Sequence, residues 1–387
     1  MSRYKVNCGF VPLVDSAPLV IARELEFAAN EGLDLELLKQ PSWSALRDLL
    51  ALGHLEAAHI LSPLPIAMTL GLGGFQCDVD ALMVLSVNGN VIAAGNALVA
   101  RMRAQGWHPD LTDAEAAARA LEAVAPKPLR FGVPFPMSMH RELVEYWLKG
   151  RDIALELCSV PPPMMAEALT SGEVDAFCVG EPWGSRAVDA EAGELILTGR
   201  SIWAFSPEKV LAARRDWVAE NGAAAAALMR AVYQAGRWLH EPSNRMIATD
   251  ILARSEYLGL PADVIERAMT GHLLAQARSL GTAVPGFLHF HTGAATFPWR
   301  SQARWIGERL ARRYGLPVEQ TAEIARGVFR SDLYRNILGP TGIDLPGASE
   351  KQEGALVHPT AVASSRGGLI LQPDRFFDGE VFDPAGE

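Results

Sequence analysis

The sequence predicts an α/β protein built as two lobes with a ligand cleft between them. Short β-type runs alternate with helical patterns from the first residues onward. A second series of the same kind begins after Pro126-Lys127-Pro128. The chain has 387 residues, more than one core of ordinary size holds and enough for two.

Tyr4–Phe10 reads as a strand. Asp15 and Ser16 offer a cap for a helix that carries Leu19, Ile21, Ala22, Leu25 and Phe27 and stops at Gly32. Leu33–Lys39 alternates apolar and polar residues, a second strand. Ser42 caps a helix with Leu46, Leu49 and Leu50 that ends at Gly53, Ala57–Leu61 is a third strand, and Pro63 opens the next helix. This order predicts a parallel sheet with helices on its faces. Asp113 caps an Ala-rich helix over 114–125. The second series then runs strand Leu129–Val133, helix from Ser138 to Leu148, strand 155–160, helix 163–169, strand 174–179 and a short strand 195–198. Long helices follow over 223–239, 244–254, 262–272, 299–314 and 318–326, and the Gly-, Pro- and Ser-rich tail from Gly339 reads as mostly irregular. The expected division is residues 1–98 for the first lobe, 99–204 for the second, 205–338 for the return to the first, and 339–387 for a tail packed on both.

Hydrophobic residues make up 49% and charged residues 21% of the chain, a balance that excludes wholesale disorder. The formal net charge of -10 repels phosphate backbones and anionic lipid, so no direct nucleic-acid or membrane contact is expected. Basic runs are no longer than pairs such as Arg312-Arg313. The apolar stretch after the first strand is broken by Pro12, Asp15 and Pro18, so it does not read as a secretory signal, and a cytoplasmic location is expected. Cys8, Cys77, Cys158 and Cys178 show no CxxC spacing and read as free thiols, with Cys158 and Cys178 in apolar, buried runs.

Catalytic signatures are missing: there is no Walker A loop, GxGxxG, GxSxG or HExxH. Neither an enzyme nor a cofactor is expected. His289 and His291 share one face of a possible strand, but no third ligand has matching spacing, so no metal is expected.

Four places suggest a ligand. Trp43 stands at a helix N-terminus after a strand, and its indole N–H donates without accepting, which suits an anion; a core tryptophan pinning the helix is an equal alternative. His140 lies in the first turn of the helix that Ser138 caps, where free backbone N–H groups favour anions; alone, a cap with an outward histidine is the simpler reading. Pro161-Pro162-Pro163 and Gly180-Glu181-Pro182-Trp183 follow second-lobe strands, with Gly180 open to close backbone approach, although turn chemistry alone accounts for both. Lys209, in Ser206-Pro207-Glu208-Lys209-Val210, lies where the chain returns to the first lobe and can supply a whole charge to a desolvated anion; a solvated lysine is the default.

Taken together, these stretches resemble the nitrate- and bicarbonate-binding proteins of ABC-type transporters. The matching blocks are 9–19 (Gly9-Phe10-Val11-Pro12-Leu13-Val14-Asp15), Pro41-Ser42-Trp43 with Arg47-Asp48, Ala58-His59-Ile60-Leu61-Ser62-Pro63, Val87-Asn88-Gly89-Asn90, Tyr146-Trp147-Leu148, Val160-Pro161-Pro162-Pro163, Val179-Gly180-Glu181-Pro182-Trp183 and Phe377-Asp378-Gly379. They follow the family's order over nearly the whole chain. The resemblance implies a two-lobed periplasmic-binding-protein type II fold that grips an anion in its cleft. It places Trp43, His140 and Lys209 at anion-contacting positions and Gly180 and Pro163 beside the ligand as backbone or wall. The family's nitrate binders have Gln where this chain has Asn90. At the position matched to Lys209, nitrate binders have Lys, whereas bicarbonate binders have a carboxylate that helps hold calcium. Glu208 is the neighbour, and the Pro-Glu-Lys context aligns Lys209 without an insertion, so nitrate or nitrite is the expected ligand.

Within the family, the chain resembles most the branch without an export signal, the NasS-type sensors. This implies a cytoplasmic nitrate/nitrite sensor that controls an ANTAR-type RNA-binding antiterminator. The alternative is the substrate-binding component of an ABC-type nitrate or bicarbonate transporter. Enzymes of the same fold that form the thiamine pyrimidine use a Cys-rich run, which this sequence lacks.

Overall fold

The computed structural model describes residues 4–386. Strands β1 (Tyr4–Phe10), β2 (Leu33–Lys39) and β3 (Ala57–Leu61) are joined through the helices Ala17–Glu24 and Trp43–Ala51. β4 (Val79–Asn88) ends at a crossing, and β5 (Asn90–Gly95) already belongs to the other lobe. There β6 (Leu129–Val133), β7 (Leu155–Ser159), β8 (Ala176–Gly180) and β9 (Gly193–Thr198) complete a five-stranded sheet of order β7-β6-β8-β5-β9. β10 (Pro207–Arg214) returns to the first sheet, the small hairpin β11 (His272–Leu273) and β12 (Thr282–Ala283) stands apart, and β13 (Leu288–His289) lies at an edge. The first sheet has six strands in the order β13-β4-β10-β3-β1-β2.

The caps read from the sequence have physical partners. Ser42 Oγ accepts from Ala45 N (3.2 Å), Asp113 Oδ1 from Ala116 N (2.8 Å) and Ser138 Oγ from Arg141 N (3.2 Å). Asp15 departs from expectation. It lies within the 3-10 turn Val14–Ser16, its carboxylate makes no cap bond, and it is buried.

The sheets also differ from the parallel arrangement expected. β1 runs parallel to β2 and β3, but β10 is antiparallel to β3 and β4, and β5 is antiparallel to β8 and β9. A strand arriving from the other lobe enters against the direction of the strands beside it. The first crossing therefore lies at Asn88-Gly89-Asn90, ahead of the 98/99 boundary, because the apolar run of β5 pairs with β8 and β9. All ten residues of β4 are buried, so its sequence carries no alternation to read.

The two crossings are bonded to each other. Asn88, at φ 62°, accepts from Ser206 N (3.1 Å) through Oδ1 and donates to Ala204 O (2.8 Å) through Nδ2. Gly89 N donates to Phe287 O (2.8 Å), and Glu181 N donates to Gly89 O (3.1 Å). At φ 92°, Gly89 holds a left-handed turn that a side chain would strain.

The helix Arg300–Tyr314 also spans the lobes. Its Arg309 and Arg313 donate to the fully buried Glu142 (2.7 and 2.8 Å) on the second-lobe helix Met139–Trp147. The tail packs on this seam. Phe376 is buried against Trp203 (ring centroids 4.8 Å) and Trp305 (6.0 Å), while Phe377 N donates to Ile202 O (2.9 Å). Among the described residues, no helix is long and apolar enough to cross a membrane. Phe376→Ala should cost about 3–5 kcal/mol of stability through lost burial and the cavity left behind. Urea unfolding of the two proteins measures this, and a loss below about 1 kcal/mol would show the tail to be loosely attached.

Candidate functional site

The functional candidates meet where β1, β3, β10 and the second-lobe strand ends face one another. Lys209 is the centre. It sits mid-sheet on β10, opposite Leu61 of β3 and Ser86 of β4, and its side chain is wholly buried. Its Nζ lies 2.7 Å from Asp15 Oδ2 and 2.6 Å from Glu208 Oε1. It also stands over the Trp43 ring, 5.3 Å from the centroid.

Strand alternation puts neighbouring side chains on opposite faces, yet Glu208 and Lys209 touch. The reason is a register irregularity: Pro207 pairs with Val87 and Lys209 with Ser86, leaving Glu208 as the extra residue. Such a bulge turns two consecutive side chains into one cluster. Both residues of the Glu-Lys pair therefore belong to the site.

The remaining members come from both lobes. His59 on β3 shares a 2.8 Å bond between Nε2 and Asp15 Oδ1 and lies beside Trp43, ring centroids 5.8 Å apart. Asn90, at the crossing, donates from Nδ2 to Glu208 Oε2 at 2.6 Å. His140 is fully buried in the first turn of its helix, with Nδ1 3.4 Å from Glu208 Oε1. Gly180 closes the seam: a Cβ there would lie 2.7 Å from Leu13 Cδ2 and 3.6 Å from both Asn90 Oδ1 and Asp15 Oδ2. Trp43, Asn90, His140, Gly180 and Lys209 are thus brought together. Pro163 is not. It faces solvent in the 3-10 turn Pro162–Met164, and Pro162 is the residue of that turn that points inward. Pro162 lines a groove of about 320 Å³ that runs along Trp43 between Ser42 and Ser44 on one side and Pro134, Phe135 and Pro136 on the other.

Several polar atoms here have no hydrogen-bond partner among the described residues: Trp43 Nε1, His59 Nδ1, Asn90 Oδ1, Ser86 Oγ and both ring nitrogens of His140. Buried polar atoms are normally satisfied, so such a group of them marks a place built for a small polar partner. The charges are tuned by burial and by each other. Burial opposes the Asp15 charge, but Lys209 and His59 outweigh it and hold the carboxyl well below the usual carboxylate range. Burial also pulls against the Lys209 charge, yet Asp15 and Glu208 keep the ammonium above its ordinary value. Glu208 is pushed up by burial, with Lys209 opposing. His140 is held well below its usual value by burial and by the Lys209 charge, so it is a neutral donor and acceptor at pH 7. Burial raises the Cys178 thiol well above its usual value, which leaves it unreactive. Among the described residues, no three His, Cys, Asp or Glu side chains are grouped to hold a metal ion.

Asp15, His59 and Glu208 were the residues the sequence did not single out. Asp15 read as a cap, His59 lies in a wholly buried strand, and the bulge at Glu208 has no sequence signature.

The description of the NMT1-like family matches residues 2–253, which include Asp15, His59, Asn90, His140, Gly180 and Lys209. The chain belongs to the NMT1-like family. It is 31% identical to the nitrate/nitrite binding protein NrtA of Nostoc sp. strain PCC 7120, over 98% of this chain and 83% of that protein. It is 32% identical to the nitrate import ATP-binding protein NrtC of Synechocystis sp. strain PCC 6803, over 86% of this chain but 50% of that protein. The crystal structure of the periplasmic nitrate-binding protein NrtA from Synechocystis PCC 6803 superposes with a TM-score of 0.84 at 28% identity, covering 99% of this chain and 96% of that one. The fold of this NMT1-like protein is the two-lobed periplasmic-binding-protein fold, and the two NrtA relatives, most of whose length it covers, are binding proteins rather than enzymes.

Glu181, next to the cluster, supplies a measurable pH effect. Its buried carboxyl accepts from Ser185 N and Oγ, both at 3.1 Å. Burial pushes it up to about 7, against the Ser185 bonds. A carboxyl raised on folding favours the protonated native state, so its contribution is complete below about pH 4.5 and is lost as pH rises to about 7. Glu181→Gln should match the parent near pH 4.5 and exceed it at pH 8 by up to about 3 kcal/mol. Urea melts at both values measure this, and a constant difference between the two would count against a neutral Glu181.

Proposed function

We propose that this protein binds nitrate or nitrite in the cluster around Lys209, as the substrate-recognising component of an ABC-type nitrate uptake system. The observation that carries this is the enclosed ammonium of Lys209, with the unpartnered donors Trp43 Nε1 and His140 beside it. A small planar oxyanion offers acceptors in several directions at once and presents one negative charge, which suits one ammonium and two neutral N–H donors. The Nostoc, Synechocystis and NrtC relatives support the transport role, since each is named for nitrate binding or import.

The two carboxylates decide how such an anion is accommodated. With Asp15 and Glu208 both ionised, Lys209 is already overbalanced, and a further negative charge is repelled. Asp15 is the strongly ionised one and stays so. Glu208, raised by burial, is the one that takes up a proton when an anion arrives. In its protonated form it becomes a donor. Binding is therefore coupled to proton uptake.

A regulatory role, as a cytoplasmic nitrate/nitrite sensor acting on an ANTAR-type antiterminator, uses the same ligand and differs in partner. Affinity purification from the native cell separates the two. Recovery with permease and ATPase subunits supports transport, and nitrate-sensitive recovery with an antiterminator supports sensing.

Two measurements test the ligand and its chemistry. Lys209→Ala should weaken nitrate binding by about 100-fold or more in calorimetry, far beyond the effect of Glu208→Gln. Equal losses would remove Lys209 as the charge partner. The affinity of the parent for nitrate should also fall as pH rises above the raised range of Glu208, by at most about tenfold per pH unit. Glu208→Gln should flatten that dependence and bind at least as tightly at pH 8. An unchanged pH profile in the variant would show that the proton goes elsewhere.

A further inference from the structure

A second group of basic side chains lies away from the Lys209 cluster. It surrounds a cavity of about 390 Å³ beside the edge strand β13. His240, Arg245 and His289 supply polar wall, and Leu239, Met269 and Phe290 supply apolar wall. Arg200, from the turn after β9, lines a neighbouring groove and approaches this wall from behind Gly286. A Cβ added to Gly286 would lie 3.0 Å from Arg200 Nε and 3.0 Å from His289 Nε2, so both side chains converge over one stretch of backbone.

The arginines here lack the partners found elsewhere in the chain. Arg304, Arg313 and Arg330 all bond carboxylates, whereas among the described residues no carboxylate oxygen lies within 4.0 Å of Arg200 or Arg245. Arg200 Nε is buried without a hydrogen-bond partner. Burial pushes the His289 imidazole down to about 4, and the nearby Arg200 and Arg245 guanidinium groups push it the same way, so it is a neutral ring at pH 7. In a chain of net charge -10, where carboxylates abound, a buried guanidinium nitrogen left without an acceptor is a place where an anion would be stabilised.

We propose that this cavity is a binding site for a small organic anion bearing a carboxylate or phosphate group. The Arg245 guanidinium on the wall supplies a permanent positive charge, Arg200 approaches from behind Gly286 and His289, and His240 and His289 offer ring nitrogens. The apolar half of the wall matches a short carbon body, and the volume suits a small metabolite better than a bare triatomic oxyanion. The occupant would rest against the loop that fastens the crossing, since Phe287 O accepts from Gly89 N (2.8 Å) and Gly286 O from Asn88 Nδ2 (3.3 Å).

Calorimetric titration of the full chain with succinate and with inorganic phosphate, in a chloride buffer, tests the site. Saturable binding of either probe is expected, and which one binds distinguishes a carboxylate from a phosphate ligand. Arg245→Gln and His289→Gln should each weaken it by about tenfold or more while nitrate binding stays at the parent level, which also verifies the fold. Saturating nitrate should leave the probe's affinity unchanged. If His289→Gln unfolds the chain, the half-exposed Arg245 decides alone. The proposal is overturned if neither probe binds at up to about 10 mM, if nitrate competes with it, or if Arg245→Gln binds like the parent.

Discussion

Everything at the lobe seam is organised by one buried ammonium. A full charge removed from water is tolerated only when it is paired and hydrogen-bonded. Lys209 is paired twice, and its partners come from separate parts of the chain: Asp15 from the turn after β1 and Glu208 from the bulge in β10. Those carboxylates in turn hold His59 and Asn90, and His140 of the second lobe approaches Glu208. The packing around Trp43 and Gly180 follows from the same need, because the charge is isolated from water only if the two lobes meet closely.

This arrangement concentrates charge at the seam. A lysine with one carboxylate would be neutral and would accept an anion with little electrostatic return. Here the two carboxylates differ in basicity: Lys209 and His59 hold Asp15 well below the usual carboxylate range, whereas burial raises Glu208. The two-lobed scaffold serves many ligands, and function resides in such local sets of side chains.

Much of the scaffold was legible because it rests on local rules. Ser42, Asp113 and Ser138 cap helices as their positions suggest, and β1, β2, β3 and β6 stand where their patterns place them. The strands that link the lobes were not legible. β4 and β5 are buried on both faces and carry no alternation, and β10 is read as strand only once its neighbours are known. The site followed the same division. Local patterns alone leave Trp43 even and favour an outward His140 and a solvated Lys209, and only the resemblance groups the three; Asp15 and Glu208 join them through a 3-10 turn and a bulge that tertiary structure creates. Pro163 faces solvent and Pro162 is buried, because which proline of a run turns inward is set by the turn and not by composition.

The side chain of Asn88 has a mechanical consequence. The chain passes between the lobes twice, and the two passages are fastened by bonds from this amide to Ala204 O and Ser206 N. Two ribbons bolted side by side resist twisting and shear more than either does alone, so the amide ties the register of one passage to that of the other. The precision of a site assembled from two halves then depends on this seam as much as on the side chains it brings together.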